Sequence, residues 1–355
     1  MRRLLLLLLL PFVPAQAIYY CCPNYCFNPC YSWTYGKLQL SAEAFYAKPH
    51  TCDLDFVIQD PRPPSSATAD FLPQGKNIAV RPEYEWAPRI LVTYVVPGGC
   101  VDFSGIYTGF HHSNKRCIFQ QGDGGLWPVN VNPLYMGLTP LFSGNVMGEA
   151  VAAYAKGRSR YDFDSGELQF ALRGPLGSRV CTRIFAAVHI MQLNQYLDSE
   201  FFGLTFPVLG AQLLESASLH NKQKVWGVGP KVGFDAHLNL WCGFGVGGKI
   251  AAAVLAGRSC GHLWQGVEIS SGVDETMDIS EMKFGRVFPQ FETRLGIDYT
   301  YCWCASLWHL EIGYQFISYI NLLCNTSFND QRATSVNRPA SFNLDGLYIR
   351  LSLQI

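Results

Sequence analysis

Two side-chain pairs in this sequence have the types and spacing for acid–base chemistry: Asp235 with His237, and His309 with Glu311. One residue separates the members of each pair, so in an extended chain both point to the same face, a carboxylate beside an imidazole. Such a pair can move protons near neutral pH, but turnover also needs a third, positioned group and an accessible cleft. The sequence marks no third group. His189 and these two histidines therefore read first as hydrogen-bonded polar residues, with a hydrolase as the lesser reading. A second pattern, Gly243, Gly245 and Gly248, satisfies G-x-G-x-x-G, and Glu268 follows about 20 residues on, as in a dinucleotide-binding turn. That turn must run into a helix and a parallel crossover strand. Here apolar alternation continues through Ile250, Ala252 and Val254. No catalytic, cofactor-binding or metal-ligating residue is assigned, and the chain is not expected to be an enzyme.

Cysteine supplies the other reactive chemistry. The N-terminus carries Arg2 and Arg3, an apolar stretch over residues 4–13, and Ala15-Gln16-Ala17, which together predict a secretory signal peptide over residues 1–17. All 13 cysteines follow it. In an oxidising envelope that number implies disulfides, and an odd count leaves at least one thiol for a partner. Cys21, Cys22, Cys26 and Cys30 cluster with Pro23 and Pro29 in residues 18–35, read as a periplasmic segment able to join other Cys-rich envelope proteins. Zinc ligation there lacks a second paired motif at zinc-finger spacing. A lipid anchor is disfavoured by the bulky Tyr20 before Cys21.

The elements that must position these groups are strands. In Trp226, Val228, Pro230, Val232, Phe234, Ala236 and Leu238 every even position is apolar, while Gly227, Gly229, Lys231, Gly233, Asp235, His237 and Asn239 between them are small or polar. Period two means strand. The pattern recurs near residues 36–47, 81–96, 100–112, 159–173, 178–194, 224–239, 243–257, 286–301, 305–319 and 342–355, weakest in 100–112. Tight connections (97–99, 174–177, 240–242 and 302–304) alternate with five long ones (48–80, 113–158, 195–223, 258–285 and 320–341). Residues 149–156 read either as a short helix in a loop or as the outer end of the fourth strand. After residue 17 no run of about 18 apolar residues occurs, which excludes a helical span. Short and long connections in strict alternation predict an all-β fold: a transmembrane antiparallel up-and-down barrel over residues 36–355. It has about ten strands, twelve being the other count, with short periplasmic turns and long extracellular loops. Gly346-Leu347-Tyr348-Ile349-Arg350-Leu351 fits a terminal strand read by outer-membrane assembly machinery, although the chain ends in Ile355 rather than an aromatic residue. The expected location is the bacterial outer membrane.

With that phasing, inward cations are Lys37, Arg89, Arg173, Arg179, Arg183, Lys231, Lys249, Arg294 and Arg350. Inward anions are Glu43, Glu83, Glu85, Glu167, Asp235, Glu292, Asp298 and Glu311. Charges in a narrow lumen are costly unless paired, so the set predicts either a salt-bridged polar core or a charge-lined pore. Cys181 faces the same lumen; Cys242, Cys302 and Cys304 fall at turns, and Cys52, Cys117, Cys260 and Cys324 in or beside long loops. Loss of Arg2 and Arg3 with the signal peptide leaves 25 cations against 27 anions, a balance that excludes a nucleic-acid footprint.

Ordered short motifs carry a family resemblance across nearly all of the mature chain. They are Ala42-Glu43-Ala44-Phe45-Tyr46-Ala47-Lys48 followed by Leu54-Asp55-Phe56; Asp102-Phe103-Ser104 leading to Thr108-Gly109-Phe110-His111; and Arg160-Tyr161-Asp162 leading to Leu168-Gln169-Phe170. The stretch from Trp226 to Asp235, then Cys242-Gly243-Phe244-Gly245 and Leu310-Glu311-Ile312-Gly313-Tyr314, complete the set. In order and spacing these resemble the major outer membrane proteins of the Legionella type, also found in chlamydia-like bacteria. The resemblance implies an outer-membrane barrel with a porin or structural role, and brings no catalytic residues. The expected function is passage of small solutes or ions together with disulfide-linked integrity of the envelope. An adhesin or purely structural protein acting through its long loops is the alternative, and a lumenal hydrolase the remote one. Expected partners are outer-membrane lipid, small solutes or ions, and other Cys-rich envelope proteins, with a homo-oligomer left open and no nucleic acid.

Overall fold

The computed structural model describes residues 36–51, 54–61, 75–98, 100–120, 124–129, 151–176, 179–206, 211–241, 243–269, 274–303, 306–328 and 335–355. The expected signal peptide and the segment containing Cys21, Cys22, Cys26 and Cys30 lie outside them. Among the described residues thirteen strands follow one another: β1 (Lys37–Thr51), β2 (Asp55–Asp60), β3 (Lys76–Ala79), β4 (Glu85–Val95), β5 (Val101–Phe119), β6 (Gly125–Pro128), β7 (Tyr154–Leu176), β8 (Val180–Phe206), β9 (Ala211–Asn239), β10 (Phe244–Ile269), β11 (Asp274–Trp303), β12 (Ser306–Phe328) and β13 (Ser335–Gln354). Ten of them close into an antiparallel barrel in the order β1-β13-β12-β11-β10-β9-β8-β7-β5-β4. Closure is made by β1 against β13, from Gln39 opposite Gln354 to Thr51 opposite Phe342, so the ring has no free edge. β3, β2 and β6 form a separate three-stranded sheet.

The alternation read from the sequence sets which side chains face lipid. Trp86, Ile90, Val92, Ile184, Val188, Val232, Ile250, Val254, Leu295, Ile297, Ile312, Leu347 and Ile349 are all exposed on the outside, as a lipid-facing belt requires. The weakest segment follows the same rule. In β5, Phe103 and Tyr107 point out while Asp102, Ser104, Thr108, Phe110 and His112 are buried inside. Its periodicity is faint because Gly105, Gly109 and His111 occupy outward positions. Gly243 and Gly98 adopt left-handed φ angles of +85° and +95° in two of the tight turns, a conformation that glycine enters without Cβ strain.

Several expectations are corrected. Three of the expected long loops, 195–223, 258–285 and 320–341, are mostly strand. β8 pairs with β9 out to Phe206 opposite Ala211, β10 with β11 out to Glu268 opposite Asp274, and β12 with β13 out to Phe328 opposite Ser335. Crossing a bilayer takes about 9–11 residues per strand, so these hairpins project well past it. Once outside, an outward face has no need of apolar residues, yet the backbone ladder still satisfies its N–H and C=O groups. The period-two signal fades where the strand continues. The tight connection expected at 174–177 falls later, because β7 runs to Leu176 and β8 starts at Val180. Tyr154 to Lys156 form the outer end of β7, not a helix. The G-x-G-x-x-G residues lie in a turn and in β10, which is antiparallel to both neighbours, so no dinucleotide-binding crossover exists there.

Candidate functional site

The lumen is the site, and it is stratified. At the end carrying the tight turns is a cavity of 360 Å³ whose walls include Arg173, Cys181, Arg183, His237, His309 and Arg350. Its charges are paired. Arg183 donates to Asp102 at 3.0 Å and to Asp235 at 2.8 Å, and Arg173 reaches Asp102 at 2.5 Å.

Above the cavity, two buried ion clusters cross the barrel. Glu43 on β1 accepts from Arg89 on β4 at 2.9 Å, from Arg294 on β11 at 2.8 Å and from Arg350 on β13 at 3.0 Å. Arg294 also pairs with Glu311 at 3.2 Å and stacks its guanidinium over the Tyr348 ring. In the second cluster, Lys231 on β9 lies 2.5 Å from both Glu167 on β7 and Glu292 on β11, and Lys249 meets Glu292 at 2.9 Å. Gln315 joins the two, accepting from Arg89 at 2.8 Å and donating to Glu292 at 2.9 Å. Removing such ions from water is costly, and the multiple charge-assisted bonds to each carboxylate offset that cost.

Further toward the loop end the lumen is aromatic. Phe45, Phe110, Tyr161, Phe163, Phe288, Tyr319 and Phe342 are fully buried within one cluster. Phe163 on β7 and Tyr319 on β12 come from strands on opposite sides of the ten-strand ring, yet their ring centroids are 5.7 Å apart. Phe342 on β13 sits 5.8 Å from Phe163. His189 links the strata, with Nε2 3.0 Å from the Tyr319 hydroxyl and Nδ1 3.2 Å from Glu167. Side chains from opposite walls thus meet at this level, as small barrels allow.

Of the expected lumenal residues, Arg89, Arg173, Arg183, Glu167, Lys231, Asp235, Lys249, Glu292, Arg294, Asp298, Glu311 and Arg350 all join this interior. Arg179 does not. It is exposed in the turn before β8, one residue beyond the wall, and is absent from the cavity lining. Glu83 and Glu85 are likewise exposed, at the loop end of β4. Neither sequence-adjacent acid–base pair forms. Asp235 is held by Arg183 and Glu311 by arginines and Tyr348, whereas His237 and His309 both turn to Asp298, at 2.7 and 3.1 Å.

Sequence reasoning missed Asp102, a fully buried carboxylate holding two arginines, because the weak alternation of β5 left its facing unread. It also left Cys100 unassigned; that thiol is free and exposed in the β4–β5 turn.

The family described as Legionella pneumophila major outer membrane protein precursor matches residues 28–355. No curated protein matches the chain. Among solved structures, similarity extends to the outer membrane protease OmpT from Escherichia coli, at 7% identity over 90% of this chain and 96% of that one, with a TM-score of 0.42. It extends also to the Pseudomonas putida toluene transporter TodX, at 8% identity over 90% and 89% of the two chains, with a TM-score of 0.32. At these distances neither protein's activity transfers.

Proposed function

The chain belongs to the Legionella major outer membrane protein family, and on that premise we propose that it serves the outer membrane as a structural barrel, closed to free diffusion and tied to its neighbours through disulfides. In outer-membrane barrels the short turns face the periplasm, which makes the 360 Å³ cavity a periplasmic vestibule. The observation that carries the reading is the contact of Phe163 with Tyr319 across the full width of the ring, beneath which every named carboxylate of the two ion clusters has a basic partner. A diffusive pore needs a continuous water path, and this lumen replaces that path with side chains.

The linkage arm rests on thiol placement. Cys100 is free and exposed at the turn end, where β1 also begins, and the Cys-rich stretch of residues 18–35 precedes β1 in the sequence. Native envelopes without reductant should show the protein in high-mass bands that collapse to monomer on thiol reduction. Replacing Cys21, Cys22, Cys26 and Cys30 with Ser should remove most of them. Bands unaffected by that replacement and by Cys100→Ser would overturn the linkage arm.

Liposome swelling tests closure. Vesicles carrying the folded full chain should swell in isotonic pentose no faster than empty vesicles. Swelling that scales with the amount of folded protein would make the chain a diffusion porin and refute the structural reading.

A further inference from the structure

Asp298 is unlike the other buried carboxylates of the lumen. Glu43 and Asp102 are each held by two or more arginines, Glu292 by two lysines, and Glu167 by Lys231. The side chain of Asp298 is just as buried, at 1% exposure, but among the described residues its ion-pair partners are two imidazoles: His237 Nε2 at 2.7 Å from Oδ1 and His309 Nε2 at 3.1 Å from Oδ2. Neutral imidazoles leave a buried negative charge uncompensated. Either a proton on one ring or a bound cation completes the balance.

The geometry favours a cation. The donors come from β9, β11 and β12, with β10 running between the first two, and their ligand atoms all lie within 4.8 Å of one another. Tetrahedral zinc, with bonds of about 2.0–2.1 Å, sets its donors roughly 3.3 Å apart, so the two imidazole–carboxylate separations must open slightly and any wider pair within the 4.8 Å limit must draw in. Both histidines line the vestibule and remain 24% exposed, which leaves the remaining coordination positions to solvent. The backbone also makes room. A Cβ on Gly245 would stand 2.5 Å from His237 Nε2 and 2.7 Å from Asp298 Oδ1, in the space between the donors and β10. The glycine that resembled part of a nucleotide motif thus has a local task.

We propose that His237, Asp298 and His309 form a periplasm-facing binding site for a borderline divalent cation of the zinc class, held by two imidazoles and one carboxylate. Nitrogen-rich donor sets of this kind select zinc and its neighbours over calcium or magnesium. The site binds; no reaction is attached to it, and it does not depend on whether the lumen conducts.

The test is zinc titration of the folded full chain in detergent with its thiols alkylated, so that cysteine cannot contribute. One zinc per chain is expected, unaffected by excess magnesium. His237→Ala, His309→Ala and Asp298→Asn should each weaken binding by about 10-fold or more, at least what loss of a supporting group costs a metal site. Gly245→Ala should weaken it without removing a ligand. His262→Ala, on the projecting β10–β11 hairpin with its own partner Asp278 at 2.9 Å, should change nothing. Cobalt(II) should give the weak visible bands of nitrogen and oxygen ligands. Heat-modified gel mobility establishes that each variant is folded. If one is not, zinc protection of His237 and His309 from diethyl pyrocarbonate in the unmutated chain decides the matter. Absence of stoichiometric binding, binding that survives the double histidine substitution, or lack of protection would each overturn the site, and a shared proton would then account for Asp298.

Discussion

The outer wall and the lumen of this barrel are written by alternate residues of the same strands, yet they are held by different physics. Outside, Ile250, Val232, Leu295 and Ile349 need only be apolar, because lipid is an unspecific solvent with no shape to match. Inside, Lys231, Arg294 and Glu43 each answer to two or three named partners, and the aromatic stratum above them closes by ring against ring. One face tolerates exchange within a class. The other tolerates almost none, because each buried charge or ring has a counterpart on another strand.

The lumen is most vulnerable at Lys231. Lys231→Met leaves Glu167 and Glu292 facing each other with their shared cation gone, and should lower stability by about 3–5 kcal/mol in detergent unfolding followed by gel mobility. The double variant Lys231→Met, Glu167→Gln should regain at least half of that loss, since Lys249 still pairs with Glu292 and the cluster is neutral again. If the double variant is no better than the single one, the pairing account of the lumen is wrong. The outer wall should respond to charge alone: Ile250→Arg should cost about 2–4 kcal/mol in refolding into bilayers. A smaller loss would mean that Ile250 does not face the bilayer centre. Gly296→Ala, which drives a Cβ into the Tyr348 hydroxyl and toward the Ile312 carbonyl, should cost about 1–3 kcal/mol by the same assay. Least of all, Leu295→Ile on the outward position beside it should fall within about 0.5 kcal/mol of the parent.

The same contrast explains what could be read from the sequence. A two-residue repeat of apolar side chains is a local signal, so the ten barrel strands, the facing of all but β5, and the outer-membrane location were legible along the chain. The signal needs a lipid face to maintain it, which is why the projecting ends of β8 to β13 read as loops. Inward residues were identifiable as a set for the same reason, but their partners were not. Arg294 meets Glu43 across 251 positions of sequence, and Asp298 gathers two histidines from β9 and β12 whose near neighbours in sequence are Asp235 and Glu311. Partnerships of that kind follow from strand register and from the width of the ring, neither of which a single strand encodes. The aromatic stratum was missed for a related reason. Phe163, Tyr319 and Phe342 are unremarkable apolar residues in their own strands, and only closure of the barrel brings them together.

Closure of the lumen by its own side chains is what we propose, and ion conductance across a planar bilayer reads it channel by channel. The folded full chain should give no steady channel steps, while the triple variant Phe163→Ala, Tyr319→Ala, Phe342→Ala, once shown to be folded, should give small ones. Stable ohmic steps from the unmutated chain would mean that the lumen is open.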